Sequence, residues 1–325
     1  MRNIFLVIKN NLYRLSKDKI MVFMTIIVLP IMIYIGIYTS QLVGIKGQIA
    51  IVGANTQQEE NVKKSIGNND KLTLKFLNES PTNTELIKGI YIVEINFTKD
   101  KMEVISFGNE DTKRSIEASL KGEPYEVNKT QTTTQGKIIG FLVMFSFVGA
   151  IYSMHLFISD RENSVYSRVL SGGLLYYEYI MGQILSTIIA LTVPTIIMSL
   201  LVLKLSSAEI SISIGLFISL LFLVGVLSSA FSMITCTIFT KRESIEMIGS
   251  GIGLITSIIG GSFVDTVDNN KIIGFIRSLI PQKRIIDLAN NCNINDFIFL
   301  VVVILAFILI SIVIGKRQYE SGVFI

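Results

Sequence analysis

The residues best suited to chemistry are few and widely separated in this sequence. His155 is the single histidine, so no histidine pair exists for zinc, and its place at the end of an apolar run favours a helix-end role. Cys236 and Cys292 provide neither a disulfide framework nor metal-ligand spacing. No Gly-x-Ser-x-Gly elbow or Ser-His-Asp arrangement supports acyl transfer. The sequence therefore predicts no catalytic residue and no metal site, and an intramembrane enzyme is disfavoured.

The sequence also lacks a nucleotide-binding motif. No G-x-x-x-x-G-K-[ST] loop is present to bind ATP phosphates. Gly249, Gly251 and Gly253 lie inside an apolar run, where small residues permit close packing of helices. We therefore expect no cofactor in this chain.

One polar turn, residues 159–173, separates two long apolar runs. Ser159 and Glu162 have the spacing of a capping box, which predicts that a helix begins there. Gly172 and Gly173 can supply a left-handed exit at its end. The turn is therefore predicted to contain a short helix held at a membrane surface.

The predicted short helix is amphipathic. Its apolar stripe consists of Tyr166, Val169 and Leu170, whereas Arg161 and Arg168 lie on another face. One interpretation is that it receives force from a partner on the same side of the membrane. The other is that it merely links two spans, and the pattern alone favours neither.

The elements around this turn are membrane spans. Only 17% of the 325 residues are charged, below the roughly 25% of soluble domains, and the mean hydropathy is +0.58. Six apolar runs are long enough to cross a bilayer, at 20–38, 138–158, 179–203, 210–240, 245–264 and 297–314. Charged residues occur only at their ends, which argues against a proton- or sodium-driven carrier and an ion channel. A cargo crossing here would be hydrophobic or amphipathic.

The N-terminal segment, residues 1–19, predicts a basic amphipathic helix at the interface. Its apolar face consists of Ile4, Phe5, Ile8, Leu12 and Leu15. Span 1 follows at 20–40, and Pro30 predicts a kink in it. A cleaved signal peptide is the alternative, but its apolar core would be shorter.

Residues 41–136 have a different composition, with short strand-like and helical stretches between charges of both signs. The strands are predicted at 48–52, 71–77, 90–97 and 101–107, and the helices near 57–66, 82–88 and 111–120. This alternation predicts a small α/β domain. Residues 137–325 contain the other five spans and two short helices at about 265–295, which we expect to dip into the outer leaflet.

The positive-inside rule predicts the orientation. With six spans, the basic residues of the N-terminal segment, the central turn, Lys241-Arg242 and Lys316-Arg317 all fall on one side, the cytoplasm. Both termini are then cytoplasmic and the α/β domain is extracellular. Arg277, Lys283 and Arg284 fall outside, against the rule, unless partly sunken helices let them snorkel.

This layout resembles an ABC transporter permease of the ABC-2 type. The acid-Arg pair of Arg161 and Glu162, followed by 168–172, is similar to that family's turn after the second span. Residues 225–234 are similar to its small-residue stretch, and 260–281 resemble its paired re-entrant helices. Residues 86–97 resemble a strand of insert-bearing members, with Asn96 where proline is usual.

The resemblance implies a half-transporter in the cell membrane. Two permease chains, identical or not, would pair, and separate ATPase subunits would bind ATP on the cytoplasmic face. The residues implied to contact the ATPase, as a coupling helix, are Arg161, Glu162, Tyr166, Arg168, Val169 and Leu170. The implied function is efflux of an antibiotic, a peptide toxin or a lipid-like drug, with no nucleic acid involved. The alternative class is a membrane-anchored sensor or scaffold whose external domain binds a ligand.

Overall fold

The computed structural model describes residues 2–42, 47–55, 58, 62, 72–77, 80–82, 91–97, 103–106, 133–208, 210–262 and 271–320. The chain divides into two compact units. The first, here called the helical unit, comprises Met1–Thr39 and Thr132–Ile325. The second, the strand unit, comprises Ser40–Gln131.

The N-terminal part of the helical unit is an almost continuous helical path. Its elements are α1 (Arg2–Lys17), α2 (Lys19–Phe23), a π-helix (Met24–Val28) and α3 (Leu29–Leu42). The π-helix ends two residues before Pro30, which has no N–H to donate to the preceding turn. The wider turn is thus the local distortion that accompanies the proline.

The rest of the helical unit consists of nine helices within the described residues. They are α4 (Thr134–Ser153), α5 (His155–Glu162), α6 (Val165–Ser171), α7 (Tyr176–Ser206), α8 (Ile214–Ile238), α9 (Arg242–Ile259), α10 (Lys271–Leu279), α11 (Pro281–Asn291) and α12 (Ile294–Glu320). Helix α4 is buried on nearly every side and forms the centre of the main apolar core, packed against α8, α9 and α11, while α12 packs on α8 and α11.

Five helical stretches of the described chain are long and apolar enough to cross a membrane. They are Lys19–Ser40, Thr134–Glu162, Tyr176–Ser206, Ile214–Ile238 and Ile294–Gln318. The remaining predicted span corresponds to α9, which has 18 residues and carries Arg242, Glu243 and Glu246 near its start. At about 1.5 Å per residue it is slightly shorter than a roughly 30 Å hydrocarbon core. The protein is thus a polytopic helical membrane protein, and the count of six spans stays a prediction.

The glycines of α9 test the close-packing interpretation. A Cβ atom on Gly249 would lie 2.6 Å from Ile151 Cδ1, and one on Gly253 would lie 3.2 Å from Phe147 Cβ. Both glycines therefore let α9 approach α4 closely, as predicted. The interpretation is wrong for Gly251, because a Cβ there would meet nothing within 4 Å.

Arg277, Lys283 and Arg284, the basic residues that contradict the positive-inside rule, form hydrogen bonds or ion pairs within the chain. The Arg277 Nε donates to the carbonyl of Ile259, 2.9 Å away, at the end of α9. Lys283 pairs with Asp287 at 2.6 Å, and Arg284 pairs with Asp296 at 2.6 Å. These contacts satisfy the hydrogen-bonding groups of the three cations. The positive-inside rule counts Lys and Arg and not net charge, so the three residues still count against the predicted orientation.

The strand unit contains a four-stranded sheet of order β2-β1-β3-β4. The strands are β1 (Gly47–Val52), β2 (Leu72–Leu77), β3 (Tyr91–Asn96) and β4 (Glu103–Ser106). Strand β1 is parallel to β2 and β3, whereas β4 is antiparallel to β3. All four predicted strands are confirmed. Their alternating residues, including Ile49, Ile51, Val93, Ile95 and Val104, bury one face of the sheet.

The predicted helices of this unit lie mostly outside the described residues. Within the helix predicted at 57–66, Gln58 and Val62 have helical backbone. Residues 83–88 and 111–120 are not described. The extracellular position of the unit stays a prediction.

Candidate functional site

The short helix within the polar turn begins later than the sequence predicts. Helix α5 runs through Ser159 to Glu162, so the predicted capping box at Ser159 is wrong. The Ser159 hydroxyl instead accepts a hydrogen bond from the Asn163 amide, 3.2 Å away. The helical path is interrupted at Ser164, which has a left-handed φ of 55°. The capping pattern failed because the buried face of the second span continues beyond Ile158 through Asp160 and Arg161.

Helix α6 ends as predicted. Gly172 follows the helix, and Gly173 has a φ of 95°, a conformation that L side chains rarely adopt. A short helix is thus present within residues 159–173, over Val165–Ser171 only.

The apolar stripe of α6 points mainly into the protein. Tyr166 is 1% exposed and Leu170 is 7% exposed. The Tyr166 ring packs edge-on against Phe157 and Tyr179, with centroid distances of 6.0 and 5.3 Å. In this structure Tyr166 and Leu170 are therefore not available to a partner, which corrects the expectation that the whole stripe fills an ATPase groove. Their burial stabilises the attachment of α6 to the helical unit.

Arg161 is also turned inward. It donates from Nη1 to the Cys236 carbonyl at 3.0 Å and from Nη2 to the Thr240 carbonyl, and its guanidinium lies 5.6 Å from the Phe157 ring centre. Cys236 lies in the last turn of α8, where the backbone acceptors lack internal partners, and Thr240 lies two residues beyond the end of that helix. Arg161 thus caps α8 and is not an exposed docking residue.

Asp160, beside it, connects the turn to two other helices. Its carboxylate accepts from Arg14 Nη1 of α1 at 2.9 Å and from the Tyr179 hydroxyl of α7 at 3.0 Å. The hydrogen bond to Asp160 raises the pKa of Arg14 above its usual value, against the effect of burial. The hydrogen bond therefore favours the charged form of Arg14 where α1 meets the turn.

Helix α1 packs against protein along one face. The Asn11 amide donates to Gln183 Oε1 at 2.6 Å and to Ser186 Oγ at 3.3 Å, both on α7. A Cβ on Gly182 would lie 2.7 Å from Val7 Cγ1, so only glycine allows this approach. The predicted apolar face is split: Leu15 is buried, whereas Phe5 is 65% exposed.

Asp18 forms the junction between α1 and the first span. Its carboxylate caps α2 by accepting from the backbone N–H groups of Ile20 and Met21 at 2.8 and 3.1 Å. It also lies 3.1 Å from His155 Nε2 and 3.2 Å from the Tyr152 hydroxyl. Burial acts to raise the Asp18 pKa, but the two backbone hydrogen bonds and His155 outweigh it and lower the pKa.

Three of the six predicted coupling residues remain exposed: Glu162, Arg168 and Val169. Beside Val169, a groove of about 280 Å³ opens between α1 and α6. Its apolar lining includes Leu6 and Val7 of α1 and Val165 of α6. We call the three exposed residues and this groove the coupling surface.

Several residues of this region were missed from the sequence: Asn11, Asp18, Asp160 and Gln183. Asn11 lies on the apolar face of α1, and Gln183 interrupts the third apolar run. A polar side chain on an apolar face is expected to be hydrogen-bonded, which was a usable signal. For a metal ion, no group of three potential ligands among His, Cys, Asp and Glu occurs within the described residues.

A comparison with protein families matches residues 118–292 to the model of the ABC-2 type transporter. No curated protein sequence matches the chain. The match covers more than half of the 325 residues and includes α4 to α11, with the turn and α6 among them, but not α1 or α12. The chain therefore belongs to the ABC-2 type transporter family, whose members are transmembrane permease subunits.

Proposed function

We propose that this permease exports a hydrophobic or amphipathic molecule from the cell, driven by separate ATPase subunits that dock on the coupling surface. Family membership supports an ATPase partner and a membrane location. The sequence has no phosphate-binding loop, which supports the proposal that the partner binds ATP. A second permease chain, identical or different, would complete the transport unit.

The observation that carries this proposal is the division of the turn into two faces. Asp160, Arg161 and Tyr166 are buried and bonded to three other helices. Glu162 and Arg168 are exposed charges that do not line the groove, and among the described residues neither takes part in an ion pair. Arg168 donates to the carbonyls of Ser164 and Asn163 at 3.3 Å. A rigid inner face and a charged outer face are the properties needed by an element that transmits force from a docked protein.

The contacts suggest how a push on α6 would reach the spans. Through Asp160 and Arg14, movement of the turn would carry α1, which is itself joined to α7 by Asn11 and Gln183. Through Arg161, it would carry the end of α8. Since packed interfaces switch between discrete arrangements, such a unit would move as a body and open the spans outward.

The proposed cargo class rests on the side chains within the spans. Buried polar residues there are mostly hydroxyls, such as Thr195 and Ser232, which bond their own helix backbone. A route between helices of this kind would present apolar and hydroxyl groups, which suit an antibiotic, a peptide toxin or a lipid-like drug. In this proposal the coupling surface and both termini are cytoplasmic, and the strand unit is extracellular.

The test is a double charge reversal on the coupling surface. The permease is purified in nanodiscs from its native host, and the P-loop protein that co-purifies is identified and then titrated back. Glu162→Arg combined with Arg168→Glu is expected to weaken ATPase binding about tenfold to a hundredfold, because like charges replace complementary ones. Both side chains are exposed, so the unfolding temperature of the permease should hardly change.

The matched control is Lys316→Glu, which reverses an exposed charge near the C-terminal end of α12. It should leave ATPase binding within about twofold of the wild type. Equal binding by the double reversal and the wild type would contradict docking at this surface.

A further inference from the structure

The base of the groove between α1 and α6 contains two buried acceptors that lack a donor. Asn11 and Asp160 both line the groove and are 2% and 6% exposed. Asn11 donates through Nδ2, and Asp160 accepts through Oδ2. Within the described part of the chain, neither Asn11 Oδ1 nor Asp160 Oδ1 accepts a hydrogen bond. An occupant that fills the groove excludes water from these two oxygens, so it has to supply a donor of its own.

The charge at the base of the groove is balanced. Asp160 pairs with Arg14 at 2.9 Å, and the Arg14 side chain is 30% exposed. A cationic occupant would be repelled by Arg14, and an anionic one would be repelled by Asp160. The base of the groove therefore favours a neutral N–H or O–H donor over an ammonium or a carboxylate.

The walls of the groove are apolar, and the space between them is small. The apolar residues that line it are Leu6, Val7, Val165, Val169 and Leu174. The volume of about 280 Å³ lies just below the roughly 300–1,000 Å³ of pockets that bind separate small molecules. An occupant of side-chain size, with an apolar body and one neutral donor, corresponds to a tryptophan or a tyrosine.

The groove opens on the surface where we propose that the ATPase docks. Val169, on the α6 side, is 37% exposed and belongs to the coupling surface, and Leu6, on the α1 side, is 57% exposed. Tryptophan and tyrosine side chains that enter such pockets commonly supply much of the binding energy of a protein interface. The position of the groove therefore favours a side chain of the docked protein as its occupant.

We propose that the docked ATPase inserts one tryptophan or tyrosine side chain into this groove, where its N–H or O–H donates to Asn11 or Asp160. This inference rests on the proposed docking and adds an anchor to it. Asp160 is bonded to Arg14 of α1 and to Tyr179 of α7. An anchor on Asp160 would thus act on α1 and α7 directly, so α6 would not be the sole element that receives the push.

The first test fills the groove without changing its charge. Val165→Phe and Leu6→Trp place a ring in it from opposite walls of the full permease in nanodiscs. Each should weaken binding of the P-loop protein identified by co-purification about tenfold or more, because the anchor is excluded. Leu6 is mostly exposed, so Leu6→Trp carries the test if Val165→Phe does not fold.

The matched control for the filled groove is Ile238→Phe. Ile238 is an exposed apolar residue at the end of α8 and does not line the groove. This variant adds the same ring elsewhere on the permease, so ATPase binding should stay within about twofold of the wild type.

The second test identifies the anchor on the ATPase. Each of its exposed tryptophan and tyrosine residues is replaced in turn by alanine and by phenylalanine. One alanine variant should weaken binding about tenfold or more, and its effect should not add to that of Leu6→Trp, because both remove the same contact. Phenylalanine at that position keeps an aromatic ring without the donor and should weaken binding a few-fold.

The inference is overturned if the double charge reversal weakens ATPase binding and the filled groove does not. Docking at the coupling surface then stands without the anchor, and a phospholipid lost from Leu6→Trp in native mass spectrometry would identify a lipid as the occupant. It is also overturned if no aromatic residue of the ATPase couples to Leu6→Trp, or if phenylalanine there binds as the wild type does. If neither the filled groove nor the charge reversal weakens binding, the proposed docking fails and the inference fails with it.

Discussion

Two arginines hold corresponding positions in two regions of the helical unit. Arg161, before α6, donates to carbonyls at the end of α8, and Arg277, in α10, donates to a carbonyl at the end of α9. Around Arg277 the neighbouring cations are also engaged, since Lys283 and Arg284 form ion pairs within the chain. Around Arg161, Glu162 and Arg168 are exposed and form no ion pair among the described residues, although Arg168 donates to the carbonyls of Ser164 and Asn163 at 3.3 Å. In the region around Arg277 the cations pair with carboxylates of the same chain, and the proposed ATPase docking at Glu162 and Arg168 depends on the absence of such pairs around Arg161.

The largest expected effect is the loss of stability when either of the two capping arginines, Arg161 or Arg277, is replaced. Arg161→Ala and Arg277→Ala should each destabilise the permease by about 3 kcal/mol, because each leaves helix carbonyls and a buried site without the charged donor. Thermal unfolding in nanodiscs measures this loss. Only Arg161→Ala should also uncouple transport from ATP hydrolysis by the bound ATPase.

A lysine variant of Arg161 provides a control for this comparison. Arg161→Lys keeps the charge but loses the second hydrogen bond, so it should recover part of the stability. Equal transport defects in Arg161→Ala and Arg277→Ala, at equal loss of stability, would show that the two regions do not differ in function.

A smaller effect is expected at the contact between α1 and the turn. A double-mutant cycle of Arg14→Ala and Asp160→Ala should give a coupling energy of about 1–2 kcal/mol, because the pair is partly buried and hydrogen-bonded. Unfolding of the single and double variants measures it. A double-mutant cycle of Arg284 and Asp296, in the other region, serves as the reference. A coupling energy near zero between Arg14 and Asp160 would contradict the proposal that movement of the turn is transmitted to α1.

The smallest effect concerns Asp18 and has a defined pH dependence. Asp18→Asn retains the helix cap but removes the charge beside His155, so at pH 7 it should cost about 0.5 kcal/mol, as for a weak ion pair. Because the Asp18 pKa is lowered in the folded protein, its contribution is present above the unfolded pKa of about 3.9 and is lost as the pH falls through the folded pKa. Unfolding temperatures of the two proteins should therefore converge below about pH 4. A difference that grows in acid would contradict the lowered pKa.

The sequence predicted the elements governed by local pattern and missed the contacts governed by long-range packing. The four strands and the exit at Gly173 follow from alternation and turn chemistry within a few residues. The partner of Arg161 is 75 residues away and that of Asn11 is 172 residues away. No local periodicity reveals whether an amphipathic stripe such as Tyr166–Leu170 faces a partner protein or its own chain.

The central claim is that the turn with exposed charges faces the cytoplasm and the other region faces outward, and thiol labelling tests it most directly. Cys236 is fully buried and Cys292 is exposed, so the wild type carries one natural probe after α11. The second protein combines Arg168→Cys with Cys292→Ser. An impermeant maleimide is applied to intact cells and to inside-out vesicles.

We predict that Cys292 is labelled from outside and the thiol at position 168 only in inside-out vesicles, because α7, α8 and α9 would place three crossings between them. Labelling of both positions from the same side would mean that α9 does not cross the membrane. That result would contradict the six-span arrangement and the assignment of the two regions to opposite faces.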